Sequence, residues 1–308
     1  MSQIKYHIFV FLACFCSLIL AQQDGVEDTD VLTLGLQNHI DQAKLESDRG
    51  EYYNSKDNLD KALVIAKKID DKKNQGKLHT KIAKVQYLVG ETDKANVSLN
   101  TAIQLQRENN DYPNLAITYN IKGVILSTKE EYTNALEYFN SAKNLFEQES
   151  LEEYISEVTL NEAKVYIALK RYEEAKSRLE KTILISKKYE QRRRLSSALI
   201  QNGKVYSALN NGKLAISEIE QGLSIAISYD IIENINEAYL TLSDIYKAQG
   251  DYKNSLDYIS RHIKLSDSIL NVKRENLAPG ITGQSINKYK DAQNAQLKAQ
   301  IDEVSAES

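Results

Sequence analysis

The stretch Val158-Thr159-Leu160-Asn161-Glu162-Ala163-Lys164-Val165-Tyr166-Ile167-Ala168-Leu169-Lys170-Arg171-Tyr172-Glu173-Glu174-Ala175 reads as a helix, a turn and the start of a second helix. Val158, Leu160, Ala163, Val165, Tyr166 and Leu169 recur mostly at spacings of three and four. So do Ala175, Leu179, Ile183 and Ile185 beyond the turn at Lys170-Arg171-Tyr172. Each spacing puts one apolar stripe on one helix face.

The same pattern returns every 40 residues. One small-residue slot runs Ala43, Ala83, Gly123, Ala163, Gly203, Ser243, and a second runs Ser55, Ala95, Ala135, Ala175, Ala215, Ser255. An apolar slot follows at Leu59, Leu99, Phe139, Leu179, Ile219 and Ile259. Copies in phase without insertion or deletion predict a stack of similar units, not one closed core. The units are written 36–75, 76–115, 116–155, 156–195, 196–235 and 236–275. Small residues in fixed slots predict close helix approach, where a larger side chain would overpack. Gly50, Gly90 and Gly250 share a turn slot and suit a left-handed helix terminus. Glu130, Lys170 and Asn210 fill that slot in other copies, so glycine is not obligatory there.

The ends of the chain read differently. Residues 1–21 carry Lys5, then an apolar run from Ile8 to Leu20 and a cleavage point after Ala21. This is the pattern of a secretory signal peptide and is short for a membrane span. Both cysteines, Cys14 and Cys16, fall inside it, so the mature chain would hold neither a disulfide nor a thiolate ligand. The expected location is exported, periplasmic or secreted, with no membrane span after signal cleavage. Residues 22–35 are expected as a flexible leader, acidic from Gln22 to Asp30. After the repeats, Pro279 interrupts the helix. Residues 276–308 are expected as a loop and a C-terminal capping or docking helix through Ile286, Tyr289, Leu297 and Ile301. Capping by that helix and self-association through it are both open readings.

Composition narrows the function. The net charge of −4 argues against a general nucleic-acid or anionic-membrane binder. Charged residues at 27% and only two prolines point to an all-α chain. The expected fold is a right-handed α-solenoid of six helix-turn-helix repeats with a C-terminal helix.

Gly50-Glu51-Tyr52, Gly250-Asp251-Tyr252 and Lys170-Arg171-Tyr172-Glu173-Glu174-Ala175 resemble the inter-helix turn of tetratricopeptide repeats. Ala163-Lys164-Val165-Tyr166, Gly203-Lys204-Val205-Tyr206 and Ser243-Asp244-Ile245-Tyr246 resemble that family's first-helix signature. Ala62, Ala102 and Ala142 resemble its second-helix alanine, which Thr182, Gly222 and His262 replace later. The period of 40 exceeds the family's usual 34, as in its longer-helix subclass. A signal peptide, 40-residue repeats and the run Tyr258 to Ile269 are also similar to the periplasmic sensor regions of Bacteroidota histidine kinases. That likeness implies the sensing part of a two-component system, detached from its kinase.

No catalytic constellation, cofactor site or metal site is expected. His39 and His79 share a slot that also accepts leucine and tyrosine, which marks packing, and no histidine pair has a metal-ligand spacing. Phosphate loops and nucleophile elbows are absent. Tyr166, Tyr206 and Tyr246 read as core residues with a wet polar tip. The slot after the first small residue holds Lys44, Lys84, Val124, Lys164, Lys204 and Asp244. In tetratricopeptide solenoids this slot would face the concave groove, beside Ile40, Thr80, Asn120, Leu160, Ile200 and Leu240. Lys44, Lys84, Asn120, Lys164 and Lys204 are therefore the candidate ligand-binding residues, suited to a protein or peptide with acidic side chains or a carboxylate end. A merely solvated face is the competing reading. The carboxylate-clamp pattern of chaperone-binding repeats is not reproduced, and Arg192-Arg193-Arg194 is expected as a solvated surface patch.

Overall fold

The computed structural model describes residues 29–275; the expected signal, most of the leader and the C-terminal helix lie outside them. Twelve helices follow one another and no strand occurs among the described residues. They are α1 (Thr29–Asp48), α2 (Tyr52–Lys68), α3 (Lys72–Leu88), α4 (Thr92–Glu108), α5 (Tyr112–Thr128) and α6 (Tyr132–Gln148). Then come α7 (Glu152–Ala168), α8 (Tyr172–Lys188), α9 (Arg192–Ala208), α10 (Gly212–Ser228), α11 (Ile232–Ala248) and α12 (Tyr252–Glu275). Helix α1 begins inside the stretch 22–35 that was expected as leader. Later hairpins begin at Lys72, Tyr112, Glu152, Arg192 and Ile232, four residues ahead of the units as written from the sequence.

A left-handed residue stands every 20 positions between helices: Gly50, Asp70, Gly90, Asn110, Glu130, Ser150, Lys170, Glu190, Asn210, Asp230 and Gly250 all have positive φ. The turn between hairpins therefore has the same geometry as the turn inside them. Around Gly50 the Glu51 amide donates to the Glu46 carbonyl at 2.8 Å, and the Gly50 amide to Ser47 at 3.1 Å. This bonding ends each helix and satisfies its last carbonyls. The side-chain carboxylate of Asp71 then caps α3 by accepting from the Asn74 amide at 2.9 Å. Pro113 sits in the first turn of α5, where its missing N–H costs nothing.

Within a hairpin the two small slots meet. Ser55 Oγ donates to the Ala43 carbonyl at 2.7 Å, and Ser243 Oγ to that of Ser255 at 3.0 Å. Gly123 lies under the ring of Phe139, and Gly203 under Ile219 and the Ala215 carbonyl. These residues are all buried, so the regular slots are the hairpin interface itself. Consecutive hairpins then stack through α2–α3, α4–α5, α6–α7, α8–α9 and α10–α11. The odd helices also touch one another directly, α3 with α5, α5 with α7, α7 with α9 and α9 with α11. Even helices make no comparably broad contact with each other, so they form the wider outer layer and the odd helices the inner wall. The fold is thus an all-α solenoid of six hairpins.

Candidate functional site

The inner wall is built from side chains one helical turn apart on the odd helices. On α3 the stripe runs Lys77, Lys81, Lys84; on α7 it runs Glu157, Asn161, Lys164; on α11 it runs Glu237, Thr241, Asp244. Spacings of three and four place each set on one face.

Curvature brings the ends of the array near each other. Tyr52, Lys84 and Leu88 face Ile232, Glu233 and Leu265 across an opening of about 700 Å³. Burial raises the Tyr52 phenol above its ordinary value, and the Glu233 carboxylate adds to the rise. Residues 181 positions apart in sequence thus line one opening.

The five residues expected to bind ligand all lie on this wall, four of them in recesses that overlap at Lys84. Lys44 and Lys84 share one with Ile40 and Lys81. Lys84 and Asn120 share a second with Phe146 and Tyr154. Lys84 and Lys164 share a third with Arg193 and Arg194. Lys204 stands apart, in a recess with Glu237, Asp244 and His262. Of the slots expected beside them, Ile40, Thr80, Asn120, Leu160 and Leu240 line recesses, whereas Ile200 is fully buried against Ala215 and Ile219. Ile200 belongs to the hairpin core, where Gly222 of α10 leaves room for it: a Cβ there would stand 2.9 Å from Ile200 Cγ1.

The five are not electrostatically alike. Lys204 Nζ holds Glu237 Oε1 at 2.6 Å, and Gln201 Nε2 donates to the same oxygen at 2.7 Å. Burial would raise the Glu237 carboxyl, but the Lys204 ammonium and its hydrogen bond, Lys164 and Gln201 outweigh this and hold it below the usual range. Lys204 is therefore already countered. Asn120 is committed too, its Oδ1 accepting from Asn161 Nδ2 at 3.0 Å. Lys44, Lys84 and Lys164 are exposed and make no ion pair among the described residues.

The arginine run is solvated, as expected, and also makes contacts. Arg193 pairs with Glu233 at 2.8 Å and Arg194 with Glu157 at 2.6 Å, both on the inner wall, while Arg192 lies over the Tyr229 ring. The lysine slot alone missed Lys81, Glu157, Glu233 and Glu237. The available signal was position: three, seven and eleven residues before each such slot lies the same face of the same helix.

Other expected packing residues fit the fold. His39 Nδ1 bonds Asn58 Oδ1 at 2.9 Å, and buried His262 bonds the Asn236 carbonyl at 3.1 Å. Arg171 covers the Tyr166 ring and Tyr246 stacks on Tyr258. Among the described residues, no helix is long and apolar enough to cross a membrane, and no cluster of side chains is arranged to hold a metal.

Residues 237–268, which span most of the α11–α12 hairpin, match the tetratricopeptide repeat family model. No curated protein matches the chain. Three solved structures share the architecture. The apo form of RapI has a TM-score of 0.65 at 15% identity over 84% of this chain and 91% of its own. The Rap conjugation gene regulator of plasmid pLS20, in complex with the Phr* peptide, has 0.65 at 17% over 85% and 68%. Aspartyl phosphate phosphatase F from Bacillus subtilis has 0.59 at 15% over 85% and 76%. Identities this low speak for the fold alone. The described residues thus form a tetratricopeptide-like α-solenoid, and the α11–α12 hairpin is similar to a tetratricopeptide repeat.

Proposed function

We propose that this protein is a non-catalytic scaffold that binds an extended segment of another protein along its inner wall. The carrying observation is the set of ammonium groups at Lys44, Lys84 and Lys164, on a concave face beside apolar side chains and outside any ion pair among the described residues. Such a wall supplies long contact area and spaced charges rather than an enclosed reaction site. The pLS20 Rap regulator, captured with a peptide, shows that a solenoid of this form can take one. Export, read from residues 1–21, belongs to the same reading, as does a sensory role in which ligand changes solenoid curvature. Small rotations at each hairpin interface add along the array.

A display library of random peptides tests the reading. Peptides selected on the wild type should lose binding to Ile121→Glu/Leu240→Glu, which alters the inner wall, and keep it to Val97→Glu/Leu184→Glu, which alters exposed positions on the outer helices. Circular dichroism confirms that both variants fold. Equal binding to both would remove the inner wall as the working surface. Fractionation of a host expressing residues 1–308 tests export, with retention in the cytoplasm counting against it.

A further inference from the structure

The inner wall is polarised along the solenoid. At its C-terminal end the carboxylates of Glu233 and Glu237 are balanced by Arg193 and Lys204. At its N-terminal end, Lys77, Lys81 and Lys84 on α3 and Lys44 on α1 make no ion pair among the described residues. Their mutual repulsion is felt at Lys81: partial desolvation first, then the charges of Lys84, Lys44 and Lys77, pull its ammonium below the ordinary lysine value. Asp41 opposes this in part, its Oδ1 also accepting from Gln37 Nε2 at 2.9 Å, and Asp48 lines the recess that Lys44, Lys81 and Lys84 share. The four ammoniums still outnumber the two carboxylates and make no ion pair with either. Immediately beside them is a hollow of about 250 Å³ walled by Ile117, Ile121, Phe146 and Tyr154. The acidic member of that wall, Glu157, is spoken for by Arg194.

We propose that the first two repeats form the anchoring site of the groove, where Lys44, Lys77, Lys81 and Lys84 take a carboxylate-rich stretch of an extended protein segment and the neighbouring hollow takes an aromatic or large apolar side chain next to it. This rests on the scaffold reading above and narrows it to one ligand class and one place. Length favours a peptide over a compact anion. Lys77 to Lys84 spans roughly 10 Å along the helix axis, and same-side residues of an extended strand recur about every 7 Å. At least two carboxylates of one segment therefore find separate ammoniums, whereas one phosphate reaches only part of the set. The protein as a whole is acidic, so this patch is also where an acidic segment is drawn in.

The test uses the same peptide library on the folded protein. Selected twelve-residue peptides should carry two or more Asp or Glu beside a Phe, Tyr, Trp or Leu. Each peptide is then synthesised with its Asp and Glu as Asn and Gln, and both forms are titrated by fluorescence anisotropy at low and at physiological salt. The acidic form should bind at least tenfold more tightly, weaken with salt, and lose at least tenfold on Lys81→Ala/Lys84→Ala. It should be unaffected by Lys213→Ala, an exposed lysine of α10. Inner-wall peptides without acidic enrichment would overturn this inference and leave the scaffold reading standing. No inner-wall peptides at all would remove both. Displacement of a bound peptide by inorganic phosphate or a single-stranded oligonucleotide, at concentrations below those at which unlabelled peptide competes, would assign the patch to free or nucleic-acid anions and overturn it.

Discussion

Replacing Gly203 by alanine sets two effects against each other at one atom. In a helix interior, alanine is favoured over glycine by about 1 kcal/mol, so propensity alone predicts a more stable protein. The packing predicts the reverse. A Cβ at Gly203 would stand 2.3 Å from Ile219 Cγ1, 2.8 Å from Ile219 Cδ1 and 2.8 Å from the Ala215 carbonyl oxygen. The last is backbone and moves only with the helix. Relief requires α9 and α10 to part by on the order of an ångström, and gaps of that size forfeit a large share of dispersion contact. Overpacking costs about 1–3 kcal/mol; taking the upper end, because a backbone atom is involved, the net loss is about 2 kcal/mol. For a chain of this size that lowers the melting temperature by about 4–8 °C. Gly35 in α1 is the internal control, since a Cβ there meets nothing closer than Ile65 Cδ1 at 3.6 Å. Gly35→Ala keeps the propensity gain and should raise melting by about 2–4 °C. Thermal melts followed by circular dichroism read both. If the two substitutions shift melting in the same upward direction, the close approach of α9 to α10 is not there.

Four further outcomes follow from the same structure. Ala163→Leu, at a fully buried slot, should destabilise by about 1–3 kcal/mol, while Lys164→Leu, one residue on and exposed, should leave melting within a degree or two; equal effects would refute the facing of α7. Lys170→Gly, at φ 57° between α7 and α8, should stabilise by about 1 kcal/mol by relieving left-handed strain, seen as a higher urea midpoint at unchanged slope. Glu237 has a folded pKa below its ordinary value of 4.5, so its contribution is present above that value and is lost as pH falls through the folded one; Glu237→Gln should flatten the acid limb of a melting-temperature profile. Lys81 has a lowered pKa, which a bound carboxylate would raise, so binding of an acidic peptide should take up protons on the alkaline side, below the ordinary value of 10.5. Calorimetry in two buffers of different ionisation enthalpy measures that uptake, and none would argue against contact at Lys81.

Much of the architecture was legible in the chain because its determinants are local and repeated. Ala163 against Ala175, or Ser55 against Ala43, are choices within one hairpin, and the sequence states each choice six times. The turn was only partly legible. Gly50, Gly90 and Gly250 announced a left-handed residue, but Glu130, Ser150 and Lys170 adopt the same φ with side chains that give no such sign. There the Schellman bonding and the packed helices on either side impose the backbone, at a cost of about 1–2 kcal/mol per residue.

The candidate site divides along the same line. Periodicity determined that Lys44, Lys84, Lys164 and Lys204 occupy equivalent places, because the slot is set by the helix repeat. Which of them is free was decided only by the tertiary structure. Glu237 neutralises Lys204 from the next repeat, Arg193 and Arg194 meet Glu233 and Glu157, and Lys77 and Lys81 gather beside Lys84 with no ion pair among the described residues and only the charge of Asp41 to oppose them at Lys81. Those pairings join side chains 33 to 40 positions apart, or farther once the coil brings α2 and α3 opposite α11 and α12. A repeat pattern places residues in a slot; the curvature that sets charges against one another is a sum over every hairpin interface.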